Sequence, residues 1–539
     1  MEHLDKRTKM TIMFAVMASM LFAALNQTIV GTSLPRIVAK LGGMEYFNWV
    51  FTIFMLTSSV TAILVGKLSD IYGRKPFILS GLAVFMAGSF LCGTSDDMIQ
   101  LIIYRGIQGL GGGMIMSTSF TAVGDLFSPR ERGRWQGLMG AVFGLASVLG
   151  PTLGGYIVEH FDWHWVFWIF LPFGFIAFFL IWRLFPHTAQ GEKKSIDYWG
   201  SMFLVLTMIP LLLAFTWAGK DYGWTSARIL GLFAFSAASL LIFIRIESRT
   251  SNPVLPLHLF KNSIFSLSNV IGFIMGIGMF GAVMYTPFFI QGVLGTAPSR
   301  TGFIMMFMTL SMVFSSTIAG QYITRTGKYK HLALFGLLLM AGGMYSMSLM
   351  GLNTSNWTVV INLAIVGLGL GIAFPIFNLT VQNAVDHRYL GVATSSTQLF
   401  RQMGGTVGVS IMGTLMFNRM EEKMSLLASK SSAAAANPGV MEKLSQLRDP
   451  QALLNPDKLE QIRSGLPPQM TGMFDHIIHA LREAMSYSLE GVFFMGALFM
   501  ILAFLLTFFV KEIPLRTSNR EPQPAGDSQE QMGETAPQN

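Results

Sequence analysis

The sequence predicts an all-α membrane protein, and three observations lead to this fold class. Hydrophobic residues occupy 52% of the 539 positions and charged residues only 12%, about half the charged fraction of an ordinary soluble domain. Apolar runs of about 20 residues, the length that crosses a bilayer, recur along the chain. A short polar motif occurs once in each half of the chain. These observations together predict two similar helical halves embedded in a membrane.

Fourteen apolar runs have the length of a membrane-spanning helix. They lie near 10–31, 46–65, 77–95, 99–126, 134–158, 165–185, 198–217, 227–246, 264–290, 300–323, 331–351, 357–384, 391–417 and 487–510. An even number of spans places both termini on one side of the membrane. We expect no cleaved signal peptide, because the first run is long and further spans follow it directly.

The net charge of +8 reflects membrane topology rather than nucleic-acid binding. Lysine and arginine are concentrated in alternate connecting segments, and the segments between these carry few. The rich segments hold Lys6, Arg7, Lys9, Arg74, Lys75, Arg130, Arg132, Arg134, Lys193, Lys194, Arg325, Lys328 and Lys330. The positive-inside rule therefore predicts that both termini and the repeated motif are cytoplasmic.

The repeated motif is a basic hairpin bracketed by glycines. It reads GKLSDIYGRK over 66–75, and a weaker copy, GQYITRTGK, covers 320–328. A motif that occurs once in each half indicates a gate between two halves that move against each other. We therefore predict a transporter, and the predicted gate residues are Gly66, Asp70, Gly73, Arg74 and Lys75.

Charged residues inside apolar runs are candidates for function, since each costs at least about 2.5–3.5 kcal/mol in a bilayer. Arg105 lies in the fourth run and Arg401 in the thirteenth, and neither has an adjacent acid. Each must face a cavity, a carbonyl or a partner, or else it holds two helices together. Near the ends of spans, Asp125, Glu159 and Glu490 could carry protons in dry surroundings, or they are interfacial charges.

Other residues are candidates for a substrate cavity or a hinge. The 37 methionines and 45 phenylalanines suit apolar cargo of varied shape, although lipid-facing packing would look similar. The predicted cavity residues are Asn26, Gln27, Gln108, Met279, Tyr285 and Arg401. The fifth run holds a glycine and proline pattern that suits a hinge, a tight seam or passive packing. Its members are Gly150, Pro151, Gly154 and Gly155.

The sequence gives no sign of a cofactor or an enzyme. The glycine strings at 109–113 and 367–371 lie inside apolar runs and precede no Lys-Ser/Thr pair, so they are not phosphate-binding loops. With one cysteine and no ligand spacing, no zinc site is expected. The acidic and histidine residues at 159–164 precede a tryptophan belt and indicate an interfacial turn rather than a metal site. An ion gradient is therefore the expected energy source.

Three motifs resemble signatures of the major facilitator superfamily: the hairpin at 66–75, the helix with Arg105 and Gly109, and GPTLGG at 150–155. The fourteen spans, with the segments 163–168 and 287–295, are similar to its fourteen-span drug:proton antiporters, the EmrB/QacA-like family. The resemblance implies the major facilitator fold, with two six-helix bundles, two inserted helices and a bacterial inner-membrane location.

This fold implies a division of the chain into four parts. The expected parts are an N-terminal bundle at 1–186, an inserted pair and linker at 187–262, a C-terminal bundle at 263–511 and a disordered tail at 512–539. The C-terminal bundle contains a polar insert at about 419–484. Topology places this insert outside the cell, and its pattern suggests short amphipathic helices that act as a lid or as packing.

The resemblance also implies roles for residues. Asp70 and Arg74 would form a gate latch, Arg105 would take part in proton coupling, and Gly150 with Pro151 would form a hinge that suits export. Asp125 and Glu159 are further candidates for proton coupling. One departure is notable: the family usually has an aspartate in the first span, where this chain has Asn26 in LNQTIV, and asparagine cannot titrate.

The combined prediction is a secondary multidrug exporter in which entering protons drive lipophilic or cationic compounds out of the cell. Its partners would be small-molecule drugs, protons and the lipid bilayer, without nucleic acid, and it would act as a monomer and support antibiotic resistance. A dedicated exporter of a metabolite, lipid or siderophore is the alternative on the same fold. A membrane-embedded enzyme or a sensor is a further alternative, but the bilayer-embedded runs hold no acid or histidine cluster for it.

Overall fold

The computed structural model describes residues 5–41, 46, 49–186, 197–218, 222–296, 298–430, 463–464 and 471–515. In this part the chain is helical, and its one β contact is an isolated bridge between Ala218 and Tyr222. The predicted all-α fold is confirmed.

The helices follow the predicted apolar runs closely. They are α1 (Lys6–Leu41), α2 (Trp49–Tyr72), α3 (Arg74–Cys92), α4 (Met98–Leu126), α5 (Pro129–His160), α6 (Trp165–Trp168), α7 (Leu171–Leu184), α8 (Tyr198–Trp217), α9 (Ala227–Glu247), α10 (Ser263–Pro287), α11 (Pro298–Thr326), α12 (Lys330–Ser348), α13 (Asn356–Asn383), α14 (Leu390–Lys430) and α15 (Thr471–Thr507). A π-helical turn, Phe288–Val293, extends α10.

Within the described residues, twelve helices are long and apolar enough to cross a membrane. The helices α4 and α14 fall below this criterion although each coincides with a predicted run. Both carry many polar side chains, and most of these are buried inside the protein. A helix surrounded by protein can hold polar residues that lipid would not accept, so hydropathy alone understates these two helices.

The helices form two bundles with an inserted pair beside them. Helices α1 to α7 pack around one set of buried residues, and α10 to α15 pack around another. Helices α8 and α9 pack mainly on each other, and α8 also touches α2 and α14. The chain then returns to the second bundle through a linker that is held by Glu247, whose Oε1 accepts hydrogen bonds from the amides of Val254 and Leu255 at 3.1 and 3.3 Å.

The two bundles meet along a seam in which α5 lies against α11 and α2 lies against α14. Glycines let the backbones of α5 and α11 approach closely. A Cβ atom on Gly137 would lie 2.5 Å from the carbonyl oxygen of Ser316, and one on Gly320 would lie 2.6 Å from that of Gly133. The Ser316 hydroxyl in turn donates to the carbonyl of Gly137 at 3.0 Å. The seam therefore depends on residues without side chains.

Two very long helices extend beyond the bundles at one end. Helix α14 has 41 residues, or about 60 Å at 1.5 Å per residue, twice a hydrocarbon core of about 30 Å. Lys423 of α14 pairs with Glu483 of α15 at 3.0 Å. The ends of the predicted insert are thus continuations of these two helices rather than separate short ones. Residues 431–462 and 465–470 of the insert, and 516–539 of the tail, lie outside the described residues.

The seam predicts opposite effects for two Gly→Ala substitutions in α5. Gly137→Ala should lower the thermal unfolding temperature of the purified protein by a few degrees, because its methyl group meets the backbone of α11, and overpacking costs about 1–3 kcal/mol. Gly155→Ala is the matched control: a Cβ atom there meets nothing within 4 Å. Alanine favours the helix by up to about 1 kcal/mol, so this variant should be as stable or more stable. Equal effects would contradict the proposed packing.

Candidate functional site

Two of the predicted gate residues, Asp70 and Arg74, meet Asp125 in a buried ion cluster, which we call the gate triad. Arg74 donates from one terminal nitrogen to Asp70 and from Nε to Asp125 at 2.8 Å, and its other terminal nitrogen donates to the hydroxyl of Ser69 at 2.6 Å. All three charged side chains are only 6% exposed. Asp125, predicted for proton coupling from its sequence position, thus lies against the gate arginine.

Asp70 links the triad to the other bundle. Its two carboxylate oxygens accept hydrogen bonds from the backbone amides of Gly391 and Val392 at 3.0 and 3.1 Å. These amides belong to the first turn of α14, where they have no partner inside the helix and where the helix dipole favours a negative charge. The carboxylate of one bundle therefore caps a helix of the other, and we call this contact the latch.

The glycines of the motif make the latch possible. Gly66 lies against α14 so closely that a Cβ atom would be 2.9 Å from the carbonyl oxygen of Gly391. Gly73 has a φ of 88° at the tight turn that begins α3, a conformation that glycine adopts at little cost. Lys75 follows the turn and is 7% exposed.

The second copy of the motif repeats the turn but not the latch. Gly327 has a φ of 71°, like Gly73, and Gly320 lies at the seam, like Gly66. At the position of Asp70, however, the copy has Thr324, whose hydroxyl donates to the carbonyl of Gly320 in its own helix at 2.8 Å. A carboxylate that caps a helix of the opposite bundle is therefore a property of the first copy of the motif.

Arg105 lies in a second buried cluster, which we call the Arg105 network. One terminal nitrogen donates to Oε1 of Gln108 at 2.6 Å, Nε2 of Gln108 donates to Oδ1 of Asn26 at 2.9 Å, and Nδ2 of Asn26 donates to Ser89 at 3.4 Å. The guanidinium also lies 4.3 Å from the ring centroid of Phe54. The network joins α1, α2, α3 and α4 inside one bundle.

Arg105, Gln108 and Asn26 are fully buried. The partner of Arg105 on another helix is a backbone carbonyl, since its Nε donates to the carbonyl of Val50 in α2 at 3.3 Å, whereas the amide of Gln108 lies on its own helix. Asn26 and Gln108, predicted to line a substrate cavity, are here enclosed by protein, and their contact with cargo stays a prediction.

Amide side chains that the sequence reasoning overlooked bridge the two bundles. Gln136 of α5 donates to Oε1 of Gln382 of α13 at 3.0 Å, and Gln382 donates to Thr394 at 3.0 Å and to the backbone of α4. Ser59 of α2 pairs with Gln402 of α14. The sequence signal was present, since each glutamine stands inside or beside an apolar run. A neutral amide in an apolar run is a weaker sequence signal than a charge, although it too needs a hydrogen-bond partner when buried.

Arg401 lies at the middle of the seam, over the ring of Phe374 at 4.0 Å from its centroid. Phe374 of α13 in turn packs against Phe120 of α4, with ring centroids 6.5 Å apart, and Phe120 stacks on Phe143 of α5 at 6.3 Å. The aromatic group of Phe120, Phe143 and Phe374, which we call the central aromatic cluster, contains side chains of both bundles.

The remaining predicted cavity residues occupy three different settings. Tyr285 is buried and donates to the carbonyl of Val409 at 2.6 Å, which ties α10 to α14. Met279 packs against the core of the second bundle. Gln27 is half-buried on α1. Their contact with cargo stays a prediction.

The predicted hinge residues lie in a continuous helix, since α5 runs from Pro129 to His160. Gly150 packs against Thr28 of α1, whose hydroxyl donates to the carbonyl of Ala146 at 2.9 Å. Gly154 is buried, and its carbonyl accepts from Ser33 at 3.4 Å. This geometry matches a tight seam between α1 and α5, and a hinge motion stays a prediction. The side chains of Pro151 and Glu159 lie outside the described residues.

The turn after α5 is an ion-paired surface loop. Oδ1 of Asp162 accepts from Lys40 Nζ at 2.9 Å and from the amide of Trp163 at 2.7 Å. The hydrogen bond from Lys40 lowers the pKa of Asp162 below its ordinary value. Among the described residues, no group of three or more histidine, cysteine, aspartate or glutamate side chains could hold a metal ion.

Comparison with known proteins decides the family. The family model described as Major Facilitator Superfamily matches residues 16–409. The Multidrug transporter protein MdtP of Bacillus subtilis (strain 168) is 40% identical over 97% of this chain and 96% of its own length. Multidrug resistance protein 3 of the same organism is 34% identical over 94% of this chain and 96% of its own length.

The chain belongs to the Major Facilitator Superfamily. The predicted family is therefore confirmed, and the protein is a multi-pass membrane transporter by family rather than an enzyme.

Solved structures of this superfamily share the fold at much lower identity. The human organic anion transporter MFSD10 (TETRAN) aligns with a TM-score of 0.61 at 15% identity, covering 93% of this chain and 99% of its own. The proton:xylose symporter XylE aligns with a TM-score of 0.60 at 12% identity, covering 94% and 97%. At these identities the likeness establishes the fold.

The latch predicts that Asp70→Asn loosens the seam. The variant loses the ion pair to Arg74 and weakens the two hydrogen bonds to α14, and a hydrogen bond to a charged group contributes about 1.5–3 kcal/mol. Val392 lies in the seam and is only 2% exposed. A cysteine placed there, in a protein whose single native cysteine is replaced (Cys92→Ser), becomes accessible to a thiol reagent only when the seam opens. A permeant maleimide should label this cysteine at least about ten times faster in the Asp70→Asn protein.

The matched control is Asp386→Asn, which removes an exposed carboxylate that pairs with Arg388 at 3.4 Å on the same end of the molecule. Exposed pairs contribute little, so the labelling rate should stay as in the parent. Equal rates in the Asp70→Asn and parent proteins would show that the latch does not hold the seam closed.

Proposed function

We propose that the protein is a proton-driven exporter of lipophilic small molecules. The observation that carries the proposal is the gate triad at the seam, with two carboxylates on one guanidinium. The likeness to two Bacillus subtilis proteins named as multidrug transporters, over nearly the whole chain, supports a broad cargo range. Because one chain contains both sides of the seam, a monomer is sufficient for the cycle.

The proposed orientation follows from the distribution of basic residues. The end of the molecule that bears the gate triad would face the cytoplasm, because basic residues of the described connecting segments, such as Lys75, Arg132 and Lys330, lie in the segments that the positive-inside rule assigns to that side. The extended parts of α14 and α15 would then project outside the cell. In this orientation the latch closes the cytoplasmic entrance of the path between the bundles.

The charge balance of the triad supplies a way for protons to control the latch. With both carboxyls ionised, the triad carries one net negative charge, and Asp70 can cap α14 while Arg74 bridges both acids. A proton on either carboxyl removes one of these attractions, since a neutral acid binds a guanidinium and a helix N-terminus less strongly. Proton uptake would therefore open the cytoplasmic side, and proton release there would restore the latch.

This sequence of events has the direction that export requires. A carrier that has bound a proton from outside opens toward the cytoplasm, accepts cargo, releases the proton and closes behind the cargo. Lipophilic cargo would enter from the cytoplasm or the inner leaflet. A competition screen, in which unlabelled compounds inhibit transport of one labelled cargo, separates a multidrug exporter from a dedicated exporter of one metabolite, lipid or siderophore.

Transport in proteoliposomes tests the proposed function. With an imposed pH gradient, accumulation of a neutral lipophilic dye should be driven by the gradient and should stop when an ionophore collapses it. Asp125→Asn should reduce gradient-driven accumulation at least about tenfold, because one of the two acids of the triad no longer titrates. Exchange of labelled for unlabelled dye at equal pH should continue in this variant.

The matched control for Asp125→Asn is Glu131→Gln, an exposed acid in the first turn of α5 at the same end of the molecule. This variant should accumulate the dye as the parent does. Accumulation that survives collapse of the gradient would remove proton coupling from the proposal.

Asn26→Asp tests the position of the missing family acid. The new carboxyl would accept from Gln108 and lie one amide away from Arg105, so it would be stabilised by positive charge and would place a negative charge in the first helix. We expect the range of exported compounds to extend to monovalent cations, measured in the same proteoliposomes. An unchanged range would show that position 26 does not influence cargo charge.

A further inference from the structure

The guanidinium of Arg401 has no polar partner in the described part of the protein. No described acceptor lies within hydrogen-bonding distance of its five N–H donors, and no described carboxylate lies within 4.0 Å. Its contact is the face of Phe374 at 4.0 Å. A buried or half-buried arginine is normally paired with a carboxylate or a carbonyl, so this one is available to a ligand.

Arg401 lies on the side of α14 that faces the other bundle. Gln398, three residues before it, reaches the backbone of Met116 in α4 at 3.5 Å, and Gln402, one residue after it, pairs with Ser59 in α2. Phe374, beneath the guanidinium, packs against Phe120 of α4. The arginine therefore lies between the bundles, where the path for cargo runs, and not on the lipid side.

Arg401 lies nearer the middle of the membrane-spanning region than the two acids of the gate triad. It lies eleven residues after the start of α14, or about 17 Å along the helix axis, near the middle of a hydrocarbon core of about 30 Å. The gate acids Asp70 and Asp125 lie at the ends of their helices, and both are held by Arg74. The middle of the seam therefore carries an uncompensated positive charge.

We propose that Arg401 and the central aromatic cluster recognise a lipophilic organic anion that bears one carboxylate or sulfonate group. This inference rests on the proposed export function and names its cargo class. The planar guanidinium offers paired N–H donors to the two oxygens of such a group. The half-buried rings of Phe374 and Phe143 offer an apolar surface from both bundles to the rest of the cargo, and the buried ring of Phe120 packs against both.

The membrane potential supports this cargo class. An anion that leaves a cell with a negative interior moves down the potential, as does a proton that enters, so both movements would contribute to the same exchange. A cation at the same place would meet the positive charge of Arg401 without a nearby carboxylate. The sequence-based expectation was lipophilic or cationic cargo, and this inference favours lipophilic cargo that is anionic.

Equilibrium binding of a matched pair of probes tests the inference. The anion 1-anilinonaphthalene-8-sulfonate and the neutral N-phenyl-1-naphthylamine share an aromatic body, and their Kd values can be measured on the full chain in lipid nanodiscs, with empty nanodiscs as the blank. The parent should bind the anion more tightly. Arg401→Gln should raise the Kd of the anion at least tenfold more than it raises that of the neutral probe.

Two further variants keep the test decisive. Arg401→Lys should retain part of the preference, because it keeps the charge but loses the planar donor pair. Arg228→Gln is the matched control: Arg228 also lies over an aromatic ring, that of Tyr222 at 4.8 Å, but on the exposed inserted pair. It should leave both Kd values unchanged.

The outcomes distinguish this inference from the proposed function. Equal rises of both Kd values in Arg401→Gln, or a parent that binds the neutral probe as tightly as the anion, would overturn anion recognition. If Arg401→Gln does not fold, loss of the anion preference in Arg401→Lys supports the inference, and an unchanged preference overturns it. Anion binding without gradient-driven transport would overturn proton-driven export and leave the recognition site standing.

Discussion

One carboxylate, that of Asp70, joins the two bundles of this transporter by capping a helix across their seam. Asp70 caps α14 across the seam with two backbone hydrogen bonds while it accepts an ion pair from Arg74 in its own bundle. A helix N-terminus supplies positive potential without a titratable side chain, so the opposite bundle needs no charged residue for this contact. The same seam also contains the glycine contacts between α5 and α11, where the two backbones approach each other closely.

Most polar side chains of the membrane helices lie where other protein groups can form hydrogen bonds with them. Amides and hydroxyls bridge the bundles along α2, α4, α13 and α14, and the Arg105 network joins four helices of one bundle. Such groups are costly in lipid and acceptable only where other protein groups satisfy them. This explains why α4 and α14 are both too polar to count as spans by hydropathy and well buried in the structure. Arg401 departs from this pattern, since the described residues give its guanidinium the face of Phe374 and no hydrogen-bond acceptor.

The two copies of the hairpin motif show how a repeat can keep its geometry and lose its chemistry. Gly73 and Gly327 both take a positive φ at the turn, because the chain must reverse between two antiparallel helices within a few residues. The acid is retained in the first copy, while Thr324 of the second bonds within its own helix. The gate is therefore asymmetric, with the carboxylate on one bundle and the helix N-terminus on the other.

Much of this protein could be predicted from its sequence. The membrane-spanning helices followed from hydrophobic length, because a bilayer allows few backbone arrangements. The family followed from the resemblance of three motifs to its signatures. Asp70 and Arg74 followed from the repeated hairpin, and Arg105 followed from the cost of a charge inside an apolar run. Only the tertiary structure decided which side chains contact each other. These contacts join Asp125 with Arg74, Asn26 with Gln108, Gln136 with Gln382, and Arg401 with Phe374. Sequence periodicity describes one helix at a time, whereas these contacts depend on how far each helix is rotated and shifted against its neighbours.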